Sequence, residues 1–388
     1  MALLALALLA QPVHLEEAFA RARAASPDAL AARESVRAAQ AGVEVARQLI
    51  NPTVGISVGP DDPKIFGTFD LKLPVLGQRG TAVAAAERDV QAAQADAEAR
   101  LLLLHAAVRR AYASLVAAQT RAQLAGRAFE LAGELSARAE AKVRSGLAPE
   151  LEAVQADLSR RRAAQERDDR AAALVSARQE LGRAMALPDA SSLDAADPPL
   201  PLPPVPPLEE LLRRTAQHPE VRALLRQQDA ALARAARERA AVRPVPDVSI
   251  ELMDLQDRTS IGVRAGLAFD LPLLSWNGGR VHEAQAQAQV ASAQAAAALL
   301  RRQAELRSAR ARWDSAGSRA IAFSRQIVPA AQRLVRMARD AWELGRTPLV
   351  QVLQAQGELT SAEGDASDAA LAAQMALADM EEAAGEAL

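Results

Sequence analysis

Residues 73–80, Leu-Pro-Val-Leu-Gly-Gln-Arg-Gly, mark the point where the chain changes from one sequence pattern to another. The segments before them alternate apolar and polar residues, which is typical of strands, whereas the run from Gly80 to Gly146 contains no proline. A related stretch occurs at residues 271–280, where Leu-Pro-Leu-Leu-Ser-Trp precedes Asn-Gly-Gly-Arg. The same strand-to-helix transition therefore occurs twice in the chain.

Other landmarks also occur in pairs and in the same order. Leu-Glu-Glu at residues 15–17 returns at 208–210, and the tip sequence at 145–149 matches that at 344–348, since both contain Gly-x-x-Pro. Between the halves, eight of the twenty residues from Pro188 to Pro207 are proline, which excludes helix. We therefore predict a partial signal peptide at 1–12, a first repeat at 13–187, a proline-rich connector at 188–207 and a second repeat at 208–388.

Each half contains two long runs that favour helix. The run that ends at Gly146 would be a helix of roughly 100 Å at 1.5 Å per residue, and its counterpart before Gly345 contains a single proline, Pro329. The runs at 150–187 and 349–388 lack internal proline and should return antiparallel to the first pair. At the tips, glycine would end one helix and proline would start the next.

Four short segments show the alternation of strands. We place these strands at about residues 53–59, 64–73, 247–255 and 259–270. Each has about the ten residues that a tilted transmembrane strand requires. Four strands cannot close a barrel, and an open sheet in lipid would leave its edges unpaired. Several copies of the chain should therefore contribute to one barrel, and three copies would supply about twelve strands.

Composition excludes several classes of function. The net charge of −2 lacks the basic excess that nucleic-acid binding requires, and with no cysteine the chain has no thiolate metal ligand. The four histidines have no metal-ligand spacing, and no nucleophile or phosphate-loop motif is present, so we expect no catalytic site, metal site or cofactor. The apolar opening run resembles a secretory signal and is too short to span a bilayer, and we expect no spanning helix after it.

Two hairpins, two pairs of long helices and a proline-rich crossover together resemble the TolC-like outer membrane factor family, from about Leu15 to Leu388. The residues that carry the resemblance most clearly are Phe-Asp-Leu-Pro-Leu-Leu at 269–274 and Gly-Arg-Thr-Pro-Leu-Val-Gln-Val-Leu-Gln-Ala at 345–355. Within the family, the short loops and the stretch at 73–80 look closest to the CzcC-like heavy-metal efflux branch.

The resemblance implies a mainly α-helical homotrimer whose strands form a β-barrel in the outer membrane and whose helices form an α-barrel across the periplasm. It also implies a periplasmic adaptor and an inner-membrane pump of the RND type as partners, with outer membrane lipid around the barrel. The function would be a passive exit duct of a tripartite efflux system, with heavy-metal cations as the cargo of the CzcC-like branch.

The same resemblance points to two groups of functional residues. Some members of the family place aspartates near the helical tips, where this chain has the uncharged Gln351 and Gln354. The expected tip and gate residues are Gly146, Pro149, Glu150, Glu152, Gly345, Pro348, Gln351 and Gln354. The expected residues of the barrel lumen are Asp70, Lys72, Glu251 and Arg264.

Other functions fit parts of the same pattern. A duct of this kind could serve drug efflux or type I protein secretion, because the pump selects much of the cargo. A hypothesis from another class is a periplasmic coiled-coil scaffold or adaptor, in which the strands would form a small capping sheet. The alternation in all four strands disfavours this hypothesis.

Overall fold

The structure is a computed structural model that describes residues 12–59, 65–196, 203–254, 261–271 and 276–388. The predicted signal peptide up to residue 11, residues 197–202 of the connector and the repeated Pro-Leu-Leu at 272–274 lie outside the described residues. The elements, in chain order, are α1 Leu15–Ala25, α2 Pro27–Arg47, β1 Thr53–Val58, β2 Ile65–Lys72, α3 Gln78–Arg144, α4 Glu150–Ala184, α5 Leu208–Arg214, α6 Pro219–Ala241, β3 Pro246–Asp254, β4 Ile261–Phe269, α7 Gly278–Ala322, α8 Val328–Glu343 and α9 Leu349–Ala384.

The long helices that the sequence predicted are present, and only the first half has its outgoing long helix unbroken. Helix α3 runs without a break for 67 residues. In the second half, a π-helical turn at Phe323–Ile327 separates α7 from α8. Pro329 is the second residue of α8, and because proline lacks an amide hydrogen and its ring crowds the preceding turn, a wider turn accommodates it.

The described residues divide into two compact units, and each unit combines matching pieces of both halves. One unit comprises residues 12–30, 100–196, 203–218 and 301–388, and the other comprises 31–59, 65–99, 219–254, 261–271 and 276–300. We call them the tip unit, because it contains both helix-to-helix turns, and the sheet unit, because it contains all four strands.

Small side chains dominate the core of the tip unit. Many of its buried residues are alanine, which allows helices to pack closely. The largest side chain of one cluster is Tyr112, which is fully buried and donates its hydroxyl hydrogen to the carbonyl of Val13 at 2.9 Å. A second cluster forms around Leu211, Leu306 and Leu377. Val108, Tyr112 and Leu115 of α3 therefore pack inside the protein.

Charged pairs attach the end of α9 to its neighbours. Residues 349–388 contain acidic residues and no basic ones, so their counter-charges come from other helices. Arg109 of α3 lies 2.8 Å from Glu381, and Arg110 binds both Asp379 and Glu382. The long return helix is thus held at its end by ion pairs that are partly or fully shielded from water.

The sheet unit is built on a meander of four antiparallel strands in the order β1-β2-β3-β4. The hairpin of the first half pairs with that of the second half through β2 and β3, for example Phe69 opposite Ile250. Helices α6 and α3 are joined by ion pairs of Arg234 with Asp89 and of Arg222 with Glu98.

Gly77 explains the first of the two strand-to-helix transitions of the sequence. Its φ is +93°, and a side chain there would meet the guanidinium of Arg243 at 2.7 Å. Arg243 donates instead to the carbonyl of Leu76 at 2.7 Å, and Gln78 donates to the carbonyls of Arg243 and Pro244. The stretch at 73–80 is therefore a tight exit from strand into helix.

One helix corrects an expectation from the sequence. Among the described residues, α3 is long and apolar enough to cross a membrane by length and composition, although we expected no such segment. The apolar stretch is 44% buried inside the chain, and it belongs to a helix whose residues Tyr112 and Leu115 are fully buried in the core of the tip unit. Packing against other helices therefore accounts for this apolar stretch.

Candidate functional site

The sheet has one apolar face and one polar face, because residues directly opposite each other on paired strands point to the same side. The pairing of Val54 with Phe69, of Phe69 with Ile250 and of Ile250 with Ala265 defines the apolar face. Its large side chains are 38–78% exposed. They are Val54, Ile56, Val58, Ile65, Phe69, Ile250, Leu252, Val263, Leu267 and Phe269.

All four residues that we expected in the barrel lumen lie on the opposite face. Asp70 stands opposite Ser249, and Lys72 stands opposite Asp247. Glu251 and Arg264 face each other on β3 and β4, where their side chains form an ion pair at 3.2 Å. The register thus gathers charged, polar and small residues on one side of the sheet, together with Phe66 and Met253, and large apolar residues on the other.

The two outer strands each have one pairing partner. Within the described part of the chain, β1 pairs with β2 alone and β4 pairs with β3 alone. Their outer backbone N–H and C=O groups are therefore free to pair with a further strand, which is the usual way in which an exposed sheet edge joins another chain.

In the tip unit, the two helix-to-helix turns have the same geometry. Gly146 has a φ of +74°, its amide donates to the carbonyl of Val143, and the next amide, that of Leu147, donates to Lys142. Gly345 has a φ of +71°, and the corresponding bonds run from residues 345 and 346 to residues 342 and 341. This pattern is a Schellman motif, which requires a left-handed residue after the helix and so favours glycine.

The prolines of the tips lie one position earlier than we expected. Pro149 and Pro348 are the residues that precede the first helical residues of α4 and α9, and both are extended. Their carbonyls accept hydrogen bonds from the amides three residues later. Each proline thus caps its helix from outside, because its fixed φ suits the extended entry of the chain.

Glu152 connects the first tip to the second. Its carboxylate accepts a hydrogen bond from the indole of Trp342 at 3.3 Å and another from the amide of Leu349 at 3.4 Å. Trp342 and Leu349 are buried, so their donors depend on this carboxylate. Lys142 lies 4.0 Å from the centre of the Trp342 ring and donates to its carbonyl at 2.9 Å.

The other predicted tip residues point outward. Glu150 is exposed at the start of α4, and Gln351 and Gln354 are exposed on one face of α9. The sequence analysis missed Trp342, Lys142 and Leu349 as partners of Glu152. A lone tryptophan three residues before Gly345 was the available signal, since a buried indole needs a hydrogen-bond acceptor.

The buried Glu381 and the half-buried His105 of the tip unit have shifted pKa values. Burial raises the pKa of the Glu381 carboxyl, and the nearby charge of Arg109 offsets this effect in part. Burial and then the charge of Arg109 lower the pKa of His105, whose ring stacks on Phe19 with centroids 3.8 Å apart. In the part of the chain that the structure describes, no three His, Cys, Asp or Glu residues converge as a metal-binding group.

No family model and no curated protein matches the chain, but solved structures do. The outer membrane protein VceC of Vibrio cholerae matches with 17% identity and a TM-score of 0.77, over 96% of each chain. CusC, which undergoes conformational changes on folding and transmembrane channel formation, matches with 18% identity and a TM-score of 0.75, over 97% of this chain and 93% of that one. The open state of the MtrE outer membrane channel of Neisseria gonorrhoeae matches with 19% identity and a TM-score of 0.77, over 97% and 90%.

These likenesses define the class of fold. The chain has the fold of outer membrane channel protomers, with long helical hairpins joined to a small antiparallel sheet. The TolC-like fold that the sequence resemblance implied is therefore confirmed. At these low identities the likeness concerns the fold, and the CzcC-like branch is not distinguished from the others.

Proposed function

We propose that this protein is the outer membrane channel component of a tripartite efflux system. It acts as a passive exit duct, with its strands in the outer membrane and its helices in the periplasm. The single observation that carries the proposal is the sheet, which turns a continuous row of large apolar side chains outward on one face and charged residues on the other. This distribution suits lipid outside and water inside.

A homotrimer follows from the strand count. Four strands with two open edges cannot satisfy their backbone groups in lipid, whereas three copies joined edge to edge make a closed barrel of about twelve strands. In that barrel, Asp70, Lys72, Glu251 and Arg264 would line the lumen. Their mixed charges would favour a hydrated path over selection of one ion.

The tips would meet the other components of the system. The two matching turns end the helical hairpins, and the Glu152 carboxylate holds the two hairpins of one chain together there. A periplasmic adaptor and an inner-membrane pump, of the RND type in the CzcC-like branch, would supply the cargo and the energy. Heavy-metal cations are the proposed cargo of that branch. The duct itself catalyses no reaction.

Two neighbouring residues of β1 provide the test. Ile56 lies on the apolar face and is 78% exposed, whereas Ser57 lies on the polar face. An arginine facing lipid costs about 2–4 kcal/mol near the middle of a bilayer and much less on the lumen side. We expect Ile56→Arg to lower the folded protein in the outer membrane fraction about 30-fold or more, and Ser57→Arg to leave it nearly unchanged.

The same two variants distinguish a channel from a periplasmic scaffold protein. On a sheet that faces water on both sides, both arginines would be tolerated equally. Equal recovery of both variants, together with a wild-type chain found in the soluble periplasmic fraction, would contradict the proposal.

A further inference from the structure

The strands and the long helices of the sheet unit meet at one end of the sheet. The start of β1 lies opposite the end of β2, the end of β2 lies opposite the start of β3, and the start of β3 lies opposite the end of β4. The segments that join this end to the helices, with the adjoining helix ends, are residues 47–52, 73–79, 239–245 and 271–280. We call these four segments the collar, which the structure describes except for residues 272–275.

The collar exposes large apolar side chains. Leu271 lies two positions past Phe269, so it continues the alternation of β4 and extends the apolar face of the sheet. The large apolar side chains of the collar that are 46–69% exposed are Leu49, Ile50, Val75, Leu76, Leu271 and Trp276. The exposed apolar surface therefore continues from the strands to the start of the helices.

The collar is also positively charged. Its four segments contain five arginines and no acidic residue. The segments that connect the strands at the opposite end, residues 59–64 and 255–260, contain three aspartates, one lysine and one arginine. The excess of positive charge is thus confined to the end of the sheet that adjoins the helices.

Neighbouring helices neutralise two of these five arginines. A guanidinium nitrogen of Arg47 lies 3.3 Å from Glu87, and one of Arg280 lies 3.8 Å from Glu238. The other three arginines are exposed and form no ion pair with any residue that the structure describes. They are Arg79, Arg239 and Arg243.

Two of these three guanidinium groups contact the backbone beside the exposed apolar residues. Arg79 donates to the carbonyl of Arg47, two residues before Leu49, and Arg243 donates to the carbonyl of Leu76 at 2.7 Å. A guanidinium has five N–H donors, so most of them are left for an acceptor outside the chain. Positive charge and exposed apolar surface therefore occur side by side.

We propose that the collar binds the headgroup phosphates of anionic phospholipids in the membrane leaflet on the side of the helices. This inference rests on the proposed function and deepens it by assigning a class of lipid to one end of the barrel. Arginine binds phosphate oxygens in a bidentate manner, and exposed leucine and tryptophan suit the boundary between headgroups and acyl chains. Water in the lumen would offer the apolar side chains no partner, whereas this boundary accommodates both kinds of group.

Lipid binding by the purified full-length chain tests the proposal. The chain is transferred into micelles of a neutral detergent that contain either phosphatidylglycerol or phosphatidylcholine, and the retained lipid is measured by native mass spectrometry. We expect tighter binding of phosphatidylglycerol, because the ammonium of phosphatidylcholine neutralises its phosphate. Each arginine near an anionic lipid surface contributes about 5-fold, so Arg79→Gln combined with Arg243→Gln should weaken phosphatidylglycerol binding about 30-fold.

A second variant avoids any disturbance of the fold. Arg239→Gln removes no side-chain hydrogen bond or ion pair within the described chain, and it should weaken binding about 5-fold. The matched control combines Arg307→Gln and Arg319→Gln, which replace two exposed arginines of α7 that lie outside the collar and likewise have no acidic partner among the described residues. This control should bind phosphatidylglycerol as the natural chain does.

Three results would overturn the proposal. They are equal binding of the two lipids, an equal loss in the control, and displacement of phosphatidylglycerol by millimolar inorganic phosphate. The last result would assign the arginines to free phosphate, because a lipid is also held by the apolar side chains of the collar.

The fluorescence of Trp276 separates this inference from the proposed function. Trp342 is buried and Trp313 packs against a core cluster, whereas Trp276 is exposed. In vesicles of phosphatidylcholine and phosphatidylglycerol, a lipid that carries a spin label near its headgroup should quench the natural chain and have little effect on Trp276→Phe. Quenching without a preference for phosphatidylglycerol, or an inserted chain without quenching, overturns the collar and leaves the channel in place. A chain that does not enter the vesicles overturns both.

Discussion

Glu152 offers the sharpest test of how the tips are held. In Glu152→Ala, the indole of Trp342 and the amide of Leu349 lose their shared acceptor, although both residues are buried. An unsatisfied buried donor costs about 1–3 kcal/mol, and the bonds of 3.3 and 3.4 Å place each loss in the lower part of that range. A negative charge at the start of α9 adds a few tenths of a kcal/mol.

We therefore expect Glu152→Ala to weaken the contact between the two hairpins by about 2–3 kcal/mol. Glu152→Gln should cost about half as much, because one amide oxygen can still accept a hydrogen bond while the charge is lost. The matched control is Glu150→Gln, two positions away, since Glu150 is exposed and its replacement should stay within about 0.5 kcal/mol.

Thermal unfolding, channel conductance and a double-mutant cycle can measure this loss of stability. Thermal unfolding of the purified channel should shift down for Glu152→Ala and stay constant for the Glu150 control. Conductance in planar bilayers should rise if the loosened tips open the duct. A double-mutant cycle with Trp342→Phe should give a coupling energy of about 0.5–3 kcal/mol. Equal stability and conductance of the Glu152 and Glu150 variants, with no coupling to Trp342, would refute this reasoning.

The remaining predictions concern the tip unit. Because burial raises the pKa of Glu381, its folded carboxyl binds a proton more tightly than the unfolded one, so stability should fall as pH rises from about 4.5, the ordinary value, through the raised value. Glu381→Gln should remove this slope in pH-dependent melting curves, and an unchanged slope would exclude Glu381 as its source. Ala186 has a φ of +55°, so Ala186→Gly should stabilise the chain by about 0.5–1 kcal/mol in denaturant unfolding. Gly182→Ala is the contrasting change, because its new methyl would lie 2.3 Å from that of Ala190, and a gain in stability there would contradict the packing.

Short-range patterns predicted much of the structure. Alternation in the first of the four segments predicts that Val54, Ile56 and Val58 lie on one face, and β1 has that arrangement. The absence of proline between Gly80 and Gly146 predicted one long helix, which α3 confirms. These features depend on residues close together in the sequence. The direction of side chains repeats about every two residues in a strand and every 3.6 residues in a helix, so the sequence pattern shows which element is present.

Other features depend on residues far apart in the chain. Arg109 and Glu381 form a buried pair across 272 positions of sequence, and no local pattern couples an arginine on one helix to a glutamate on another. The π-helical turn before α8 also follows from how Pro329 is accommodated in a long packed helix, whereas proline alone predicts only a break or a kink.

By itself, the sequence determined the two repeats, the long helices, the tip turns and the two-faced strands, because turn residues and side-chain periodicity act over a few residues. The tertiary structure alone decided that β2 pairs with β3 and that Glu152 accepts hydrogen bonds from residues of the second tip. Such pairings are selected by burial and by the need of each buried donor for an acceptor, and both conditions exist only once distant segments have packed together.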